Sequence, residues 1–253
     1  MMGFGMPDAT VWAWGRKGRP TAFLKLELYP NFFGRSIWSF GFTSLSSGPV
    51  AAEYEGQRRW SPTKPGFEPR PLPDVPPPAE KPAQRLRQMR DLARRFAAYR
   101  IWGLNDQRTE LRLLSQPLRR YDDAETGLLD GTVFGLAKDT NPNILLLIEA
   151  TAADDSRAHW QYALVRNGDA EYHVEFDGRE VWEAPERACV DPLGPFHWFH
   201  RPALLDAAPD ERCHLVARWQ ADRVFERPRI DSSLCLRPIT RQVEMLPQSV
   251  GGG

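Results

Sequence analysis

Cysteine is scarce in this chain. Only Cys189, Cys213 and Cys235 occur, and an odd, sparse set confined to the last quarter of the sequence is no disulfide framework. Long apolar runs are missing too. The purest aliphatic stretch, Ile144-Leu145-Leu146-Leu147-Ile148, is far too short to cross a bilayer as a helix. The opening Met1-Met2-Gly3-Phe4-Gly5-Met6 has neither the basic flank nor the apolar centre of a secretory signal. A cytoplasmic protein with no membrane partner is therefore expected. The sequence also lacks a Gly-x-Ser-x-Gly elbow, a phosphate-cradling glycine loop and a dinucleotide fingerprint. Those absences set aside the commonest hydrolase and nucleotide-binding chemistries and leave no cofactor to expect.

Proline and tryptophan are abundant instead, at 23 and 9 residues, so a loop or linker must absorb the former while the latter need burial or a binding face. The formal net charge is +0, but its distribution is uneven. Residues 1–120 carry 20 Lys+Arg against 10 Asp+Glu, and residues 121–253 carry 13 against 23, balances of +10 and −10. Opposite halves can attract each other within one chain or between copies, or the basic half can face a polyanion. Protein partners or self-association, and nucleic acid, are the partners this pattern suggests.

Along the chain, Val11, Trp12 and Trp14 precede a turn-rich Gly15–Pro20 segment. Leu24, Leu26 and Leu28 then alternate with Lys25 and Glu27, the two-residue period of a strand with one buried face, and the two segments read as a hairpin. A third strand places Trp38, Phe40 and Phe42 on one side and Ser39 and Gly41 on the other, where glycine suggests a close backbone approach or a bulge. Together these form an amino-terminal β segment over 9–48. Residues 49–82 hold 10 prolines, which fix φ and remove ladder donors, so this stretch reads as an extended Pro-rich linker.

After Pro82 the period changes. Leu86, Met89, Leu92, Phe96 and Tyr99 make an apolar stripe at three- and four-residue steps, predicting one long amphipathic helix over 84–102 that ends at Gly103 and lies on a sheet. The remainder reads as strands: Glu110–Leu114, Leu128–Lys138, Ile144–Ala150 (buried on both faces), Trp160–Leu164, Tyr172–Phe176, a tight Asp177-Gly178 hairpin into Val181 and Trp182, and Leu215–Trp219. Asn167-Gly168 is expected to join the Trp160 and Tyr172 strands, and residues 185–212 read as irregular. The fold class expected is mainly β (α+β), an antiparallel meander or sandwich with one long helix, and 83–248 forms the main domain.

Three constellations carry candidate chemistry. Cys189, His197, His200 and Cys213, with His214, are zinc-type ligands, but their spacing matches no compact finger or ribbon. Asp130 opens one strand and Glu149 closes the next. Paired carboxylates on adjacent strands are how many phosphodiesterases hold Mg²⁺, although Thr151 stands where such enzymes carry a lysine. The plainer reading is that both acids mark strand ends. Third, Arg87, Arg90, Arg94 and Arg95, with Arg85 and Arg100, lie along the predicted helix as a candidate phosphate track.

Leu111-Arg112-Leu113-Leu114-Ser115-Gln116-Pro117-Leu118-Arg119-Arg120-Tyr121, Leu129-Asp130-Gly131, Ile144–Ala150, Trp160-Gln161-Tyr162-Ala163-Leu164 and Gly178-Arg179-Glu180-Val181-Trp182 occur in that order. Over roughly 109–184 the chain resembles a family of bacterial proteins abundant in planctomycetes. The family has no established activity, so the resemblance implies lineage and not mechanism. It also implies that Gln161, Tyr162, Arg179 and Trp182 form one shared structural or ligand face. With no coherent catalytic set, the sequence points to a non-catalytic binding or assembly module. The alternative is a nucleic-acid-acting protein, through the arginine helix or as a degenerate metal-dependent nuclease using Asp130 and Glu149.

Overall fold

The structure is a computed structural model. It describes residues 8–15, 17–32, 35–46, 50–54, 57–102, 107–152, 157–186, 191–202 and 215–219. Among these the chain is mainly β, with one α-helix and antiparallel sheets. The strands are β1 (Asp8–Trp14), β2 (Ala22–Phe32), β3 (Arg35–Ser44), β4 (Val50–Tyr54), β5 (Gln57–Trp60) and β6 (Arg70–Pro71). Helix α1 (Pro82–Ala93) follows. Then come β7 (Phe96–Trp102), β8 (Gln107–Leu113), β9 (Arg119–Asp123), β10 (Leu128–Lys138), β11 (Asn141–Thr151), β12 (His159–Arg166), β13 (Glu171–Phe176), β14 (Arg179–Ala184), β15 (Phe196–Pro202) and β16 (Leu215–Trp219).

The strands form three sheets. The first has the order β1-β2-β3-β15. The second, nine-stranded, runs β14-β13-β7-β8-β10-β11-β12-β6, with β9 alongside β10 next to β8. The third is β16-β4-β5. Each gap between layers is filled by the alternation of the strands that bound it. On β11, Ile144, Leu146, Ile148 and Ala150 join Met89, Leu92 and Ala93 of α1 in one apolar cluster. The intervening Leu145 and Leu147 point the other way, onto Val11 and Phe23 of the first sheet. The far face of the first sheet, through Leu24, Phe40 and Phe42, packs on Val50, Ala52 and Trp60. The expectation that β11 is buried on both faces follows from this layering.

The large sheet curls. Phe96 of β7 meets Tyr162 of β12 with ring centroids 5.3 Å apart, although β8, β10 and β11 lie between those strands in the sheet. At the two ends, Arg70 on β6 donates from Nη1 to the carbonyl of Val181 on β14. Helix α1 lies against β10 and β11 inside this curl, where Thr132 Oγ1 reaches Met89 Sδ at 3.3 Å.

Four sequence expectations are corrected. The helix stops at Ala93, and 96–102 is strand β7. Phe96, Tyr99, Ile101 and Trp102 are aromatic or β-branched and favour a pleated surface, and Phe96 lies four residues after Leu92 in either conformation. Residues 49–82 are not a bare linker. Val50, Ala52, Trp60 and Leu72 are buried, and β4, β5 and β6 avoid most of the prolines. Third, Asn167-Gly168 joins β12 to β13 as expected, but the meander is interrupted there, because the two strands are not neighbours in the sheet. Asn167 instead caps the β10–β11 turn through Asn143 O and Pro142 O. Last, 185–212 contains strand β15, whose Trp198 sits on Gly41. A Cβ on Gly41 would come within 2.6 Å of that indole, which is the close approach the glycine suggested.

Lys25 and Glu27 also depart from a one-sided β2. They are 2% and 0% exposed and face the large sheet. Asn141 bridges them, donating to Glu27 at 2.7 Å and accepting from Lys25 at 3.3 Å, and Tyr29 donates to Glu27 at 3.3 Å. The polar side of the strand is buried because each charge finds a partner there.

Candidate functional site

Glu149 and Asp130 occupy neighbouring strands, with Gly131 directly opposite Glu149 and Asp130 opposite Ala150. The pleat sends the two carboxylates to opposite faces. Glu149 follows Leu145 and Leu147 toward the first sheet, and Asp130 shares the face of Thr132 and Phe134 toward α1. A single ion cannot take ligands from both, so the two-carboxylate metal reading is corrected by geometry.

Each carboxylate is saturated by its own donors. Arg19 clasps Glu149 in a bidentate pair, Nε to Oε1 and Nη2 to Oε2, both at 2.7 Å. The Tyr121 hydroxyl donates to Oε1 at 2.7 Å and Gln161 Nε2 to Oε2 at 2.8 Å. Burial first, then the neighbouring carboxylate, push the Tyr121 phenol well above its ordinary range, so it remains a donor. Burial opposes the charge on Arg19, but the hydrogen bonds and charge of Glu149 outweigh it. The Arg19 guanidinium also lies 3.7 Å from the centroid of the Phe67 ring. This knot ties the β1–β2 connection to the centre of the large sheet.

On the other face, Asp130 accepts from Arg85 Nε at 3.1 Å and from Arg120 at 2.9 and 2.7 Å. Arg85 continues to the carbonyls of Ala79 and Glu80, and Arg120 to that of Pro82. Asp130 thus fixes the start of α1. The helix has no side-chain cap, and its entry depends on these arginines and on Gln88, which accepts from Ala79 N–H and donates to Pro77 O.

The arginine track is dispersed by the same contacts. Arg90 donates to Gln116, Arg94 pairs with Asp91, and Arg95 lies beyond the helix, pairing with Asp177 and stacking on Phe176. Arg87 is exposed, and Arg100 belongs to β7. Of the zinc-type ligands, Cys189 and Cys213 lie outside the described residues, and His197 and His200 both fall on β15. His197 is buried, and burial holds its imidazole below the ordinary histidine range, with Asp191 opposing.

The four residues of the expected ligand face separate. Gln161 serves Glu149, and Arg179 is exposed at the start of β14. Tyr162 and Trp182, however, line one groove, a cavity of about 240 Å³ between the two ends of the curled sheet. Leu164, Arg70, Glu183 and Phe196 complete its chemistry. The groove exists because β6 pairs with only Gln161 and Tyr162 of β12. Beyond them, Ala163 to Val165 have no strand on that side among the described residues. Across the gap, β14 pairs only with β13 among the described residues. Sequence reasoning missed Arg70, Leu164 and Phe196, since no local pattern reveals that two sheet ends meet. It also missed Arg19, which looked like a turn residue. Comparison with protein-family models, curated proteins and solved structures finds no match for the chain.

Proposed function

We propose that this protein is a non-catalytic binding module whose ligand face is the groove between β12 and β14, and that the ligand is an extended peptide segment. The observation that carries this reading is the edge of β12 from Ala163 to Val165, which no strand pairs among the described residues and which faces a second sheet end across an aromatic-lined cavity. An edge offers backbone donors and acceptors to an added strand, while pockets for alternate side chains set specificity. Tyr162 and Trp182 supply the rigid aromatic surface that recognition sites favour, and Arg70 can select charge. Asp130 and Glu149, the acids a phosphodiesterase would need, are committed to arginines on opposite faces, so the nuclease reading draws no support from them.

Selection from a random peptide display library tests this. Peptides should be enriched that bind the chain and lose at least tenfold in affinity when Trp182→Ala strips the half-buried indole from the groove, with the fold unchanged by circular dichroism. Failure to enrich any peptide sensitive to groove substitutions would sink the reading.

A further inference from the structure

We infer that the outer face of the β13–β14 hairpin is a surface site for a divalent first-row transition metal, built from His173, Glu180 and Glu183. This site lies on the face of β14 opposite Trp182 and shares Glu183 with the lining of the peptide groove, but it is read by metal alone, without any peptide. One ligand atom from each of the three side chains lies within 4.8 Å of the others. The register explains why. His173 is opposite Glu183, and the irregularity between Val174 and Glu175 in the β13–β14 pairing brings Glu180 beside the same imidazole.

The two ring nitrogens of His173 have different neighbours. Nδ1 lies 2.9 Å from Glu180 Oε2, on the side of the cluster, whereas Nε2 lies 2.9 Å from Glu171 Oε1. A histidine that binds a metal through one nitrogen commonly donates its other N–H to a carboxylate, which fixes tautomer and ring orientation. Glu171 is placed for that role, leaving the Nδ1 lone pair for the ion. The ring is held further by Tyr99, stacked at 4.7 Å and 9°, and Tyr99 in turn carries the Arg108 guanidinium 3.7 Å from its centroid.

Charge points the same way. Three carboxylates surround one imidazole, and the ion pairs recorded for Glu171 and Glu180 are both with His173, which carries at most one positive charge. A dication would neutralise the excess. One nitrogen and two carboxylate oxygens, with open positions for water, suit Zn²⁺ or its first-row neighbours better than Ca²⁺ or Mg²⁺, which prefer all-oxygen shells. Because Glu183 belongs to β14, the ion would bridge β13 to the strand that carries Trp182.

Isothermal titration of the full chain with Zn²⁺ provides the test, with His173→Gln, Glu180→Gln, Glu183→Gln and Glu171→Gln measured in the same background. Any metal taken by cysteines elsewhere is then common to all. His173→Gln should remove one binding site, and Glu180→Gln and Glu183→Gln should each weaken it at least tenfold. Glu171→Gln should keep the stoichiometry and weaken affinity about 10–100-fold. Nitrogen-15 spectra of the histidine rings should show Zn²⁺ on Nδ1 of His173 with Nε2 still protonated. A Zn²⁺ isotherm unchanged by His173→Gln, or no perturbation of the His173 ring at millimolar Zn²⁺, would show that the cluster is only a histidine held between carboxylates. Metal on Nε2 would overturn the role assigned to Glu171.

Discussion

Replacing Arg19 by alanine removes the only cation in direct contact with Glu149 among the described residues, and leaves that carboxylate, 0% exposed, between two sheets. Breaking a buried ion pair on one side typically costs about 3–5 kcal/mol. Two features reduce the figure here. The Arg19 side chain is 30% exposed, so water can enter the space it vacates, and the donors from Tyr121 and Gln161 remain. A loss of about 2–3 kcal/mol is therefore expected, roughly 4–12 °C in Tm at about 2–4 °C per kcal/mol for a chain of this size. Urea denaturation followed by circular dichroism measures it. Glu149→Gln in the Arg19→Ala background should recover part of the loss, because a neutral amide no longer needs the guanidinium. The double variant should then be more stable than the sum of single effects predicts by about 1 kcal/mol or more. An Arg19→Ala change within about 0.5 kcal/mol of the parent would refute the view that this knot anchors the first sheet.

Gly131→Ala should disturb the same knot from the opposite strand, since its Cβ would lie 2.4 Å from Tyr121 Cε2. A loss of about 1–3 kcal/mol is expected from overpacking, with the Tyr121 hydroxyl displaced from Glu149, and thermal melts combined with near-ultraviolet circular dichroism would report both. His197 gives a pH dependence of defined sign. Its folded pKa lies below the unfolded value of about 6.5, so the unfolded chain binds more protons between the two. The stability conferred by the neutral ring is complete above about 6.5 and is lost as pH falls through the folded pKa. His197→Gln should flatten that acid-side decline in urea midpoints, and an unchanged profile would contradict it.

The strand-rich class, the limits of β10 and β16, and the double burial of β11 were legible because uninterrupted or alternating apolar runs of that length have few other solutions. The layering of the three sheets was not. Lys25 and Glu27 read as a solvent face because a sequence shows charge without showing Asn141 and Tyr29 waiting to satisfy it. The helix ran too long for a similar reason: Leu92 and Phe96 keep the helical step across the point where the backbone becomes extended, and only pairing with β8 and β13 decides the matter. Asp130 and Glu149 were visible as unusual acids at the ends of apolar strands, but their partners lie at distant or unremarkable positions, Arg19 130 residues from Glu149 and Arg85 45 from Asp130. Tyr162 and Trp182 were singled out together and do share a groove, whereas Gln161, one residue from Tyr162, faces the other way because successive strand residues alternate.

Mapping of amide chemical shifts during titration with a selected peptide examines the groove most directly. Binding should perturb Tyr162 to Val165 and Trp182 to Ala184, and slow hydrogen exchange at the Leu164 amide as the added strand takes up the free edge of β12. Perturbations that cluster elsewhere, with Leu164 exchanging at its original rate, would mean that the groove is not the binding face.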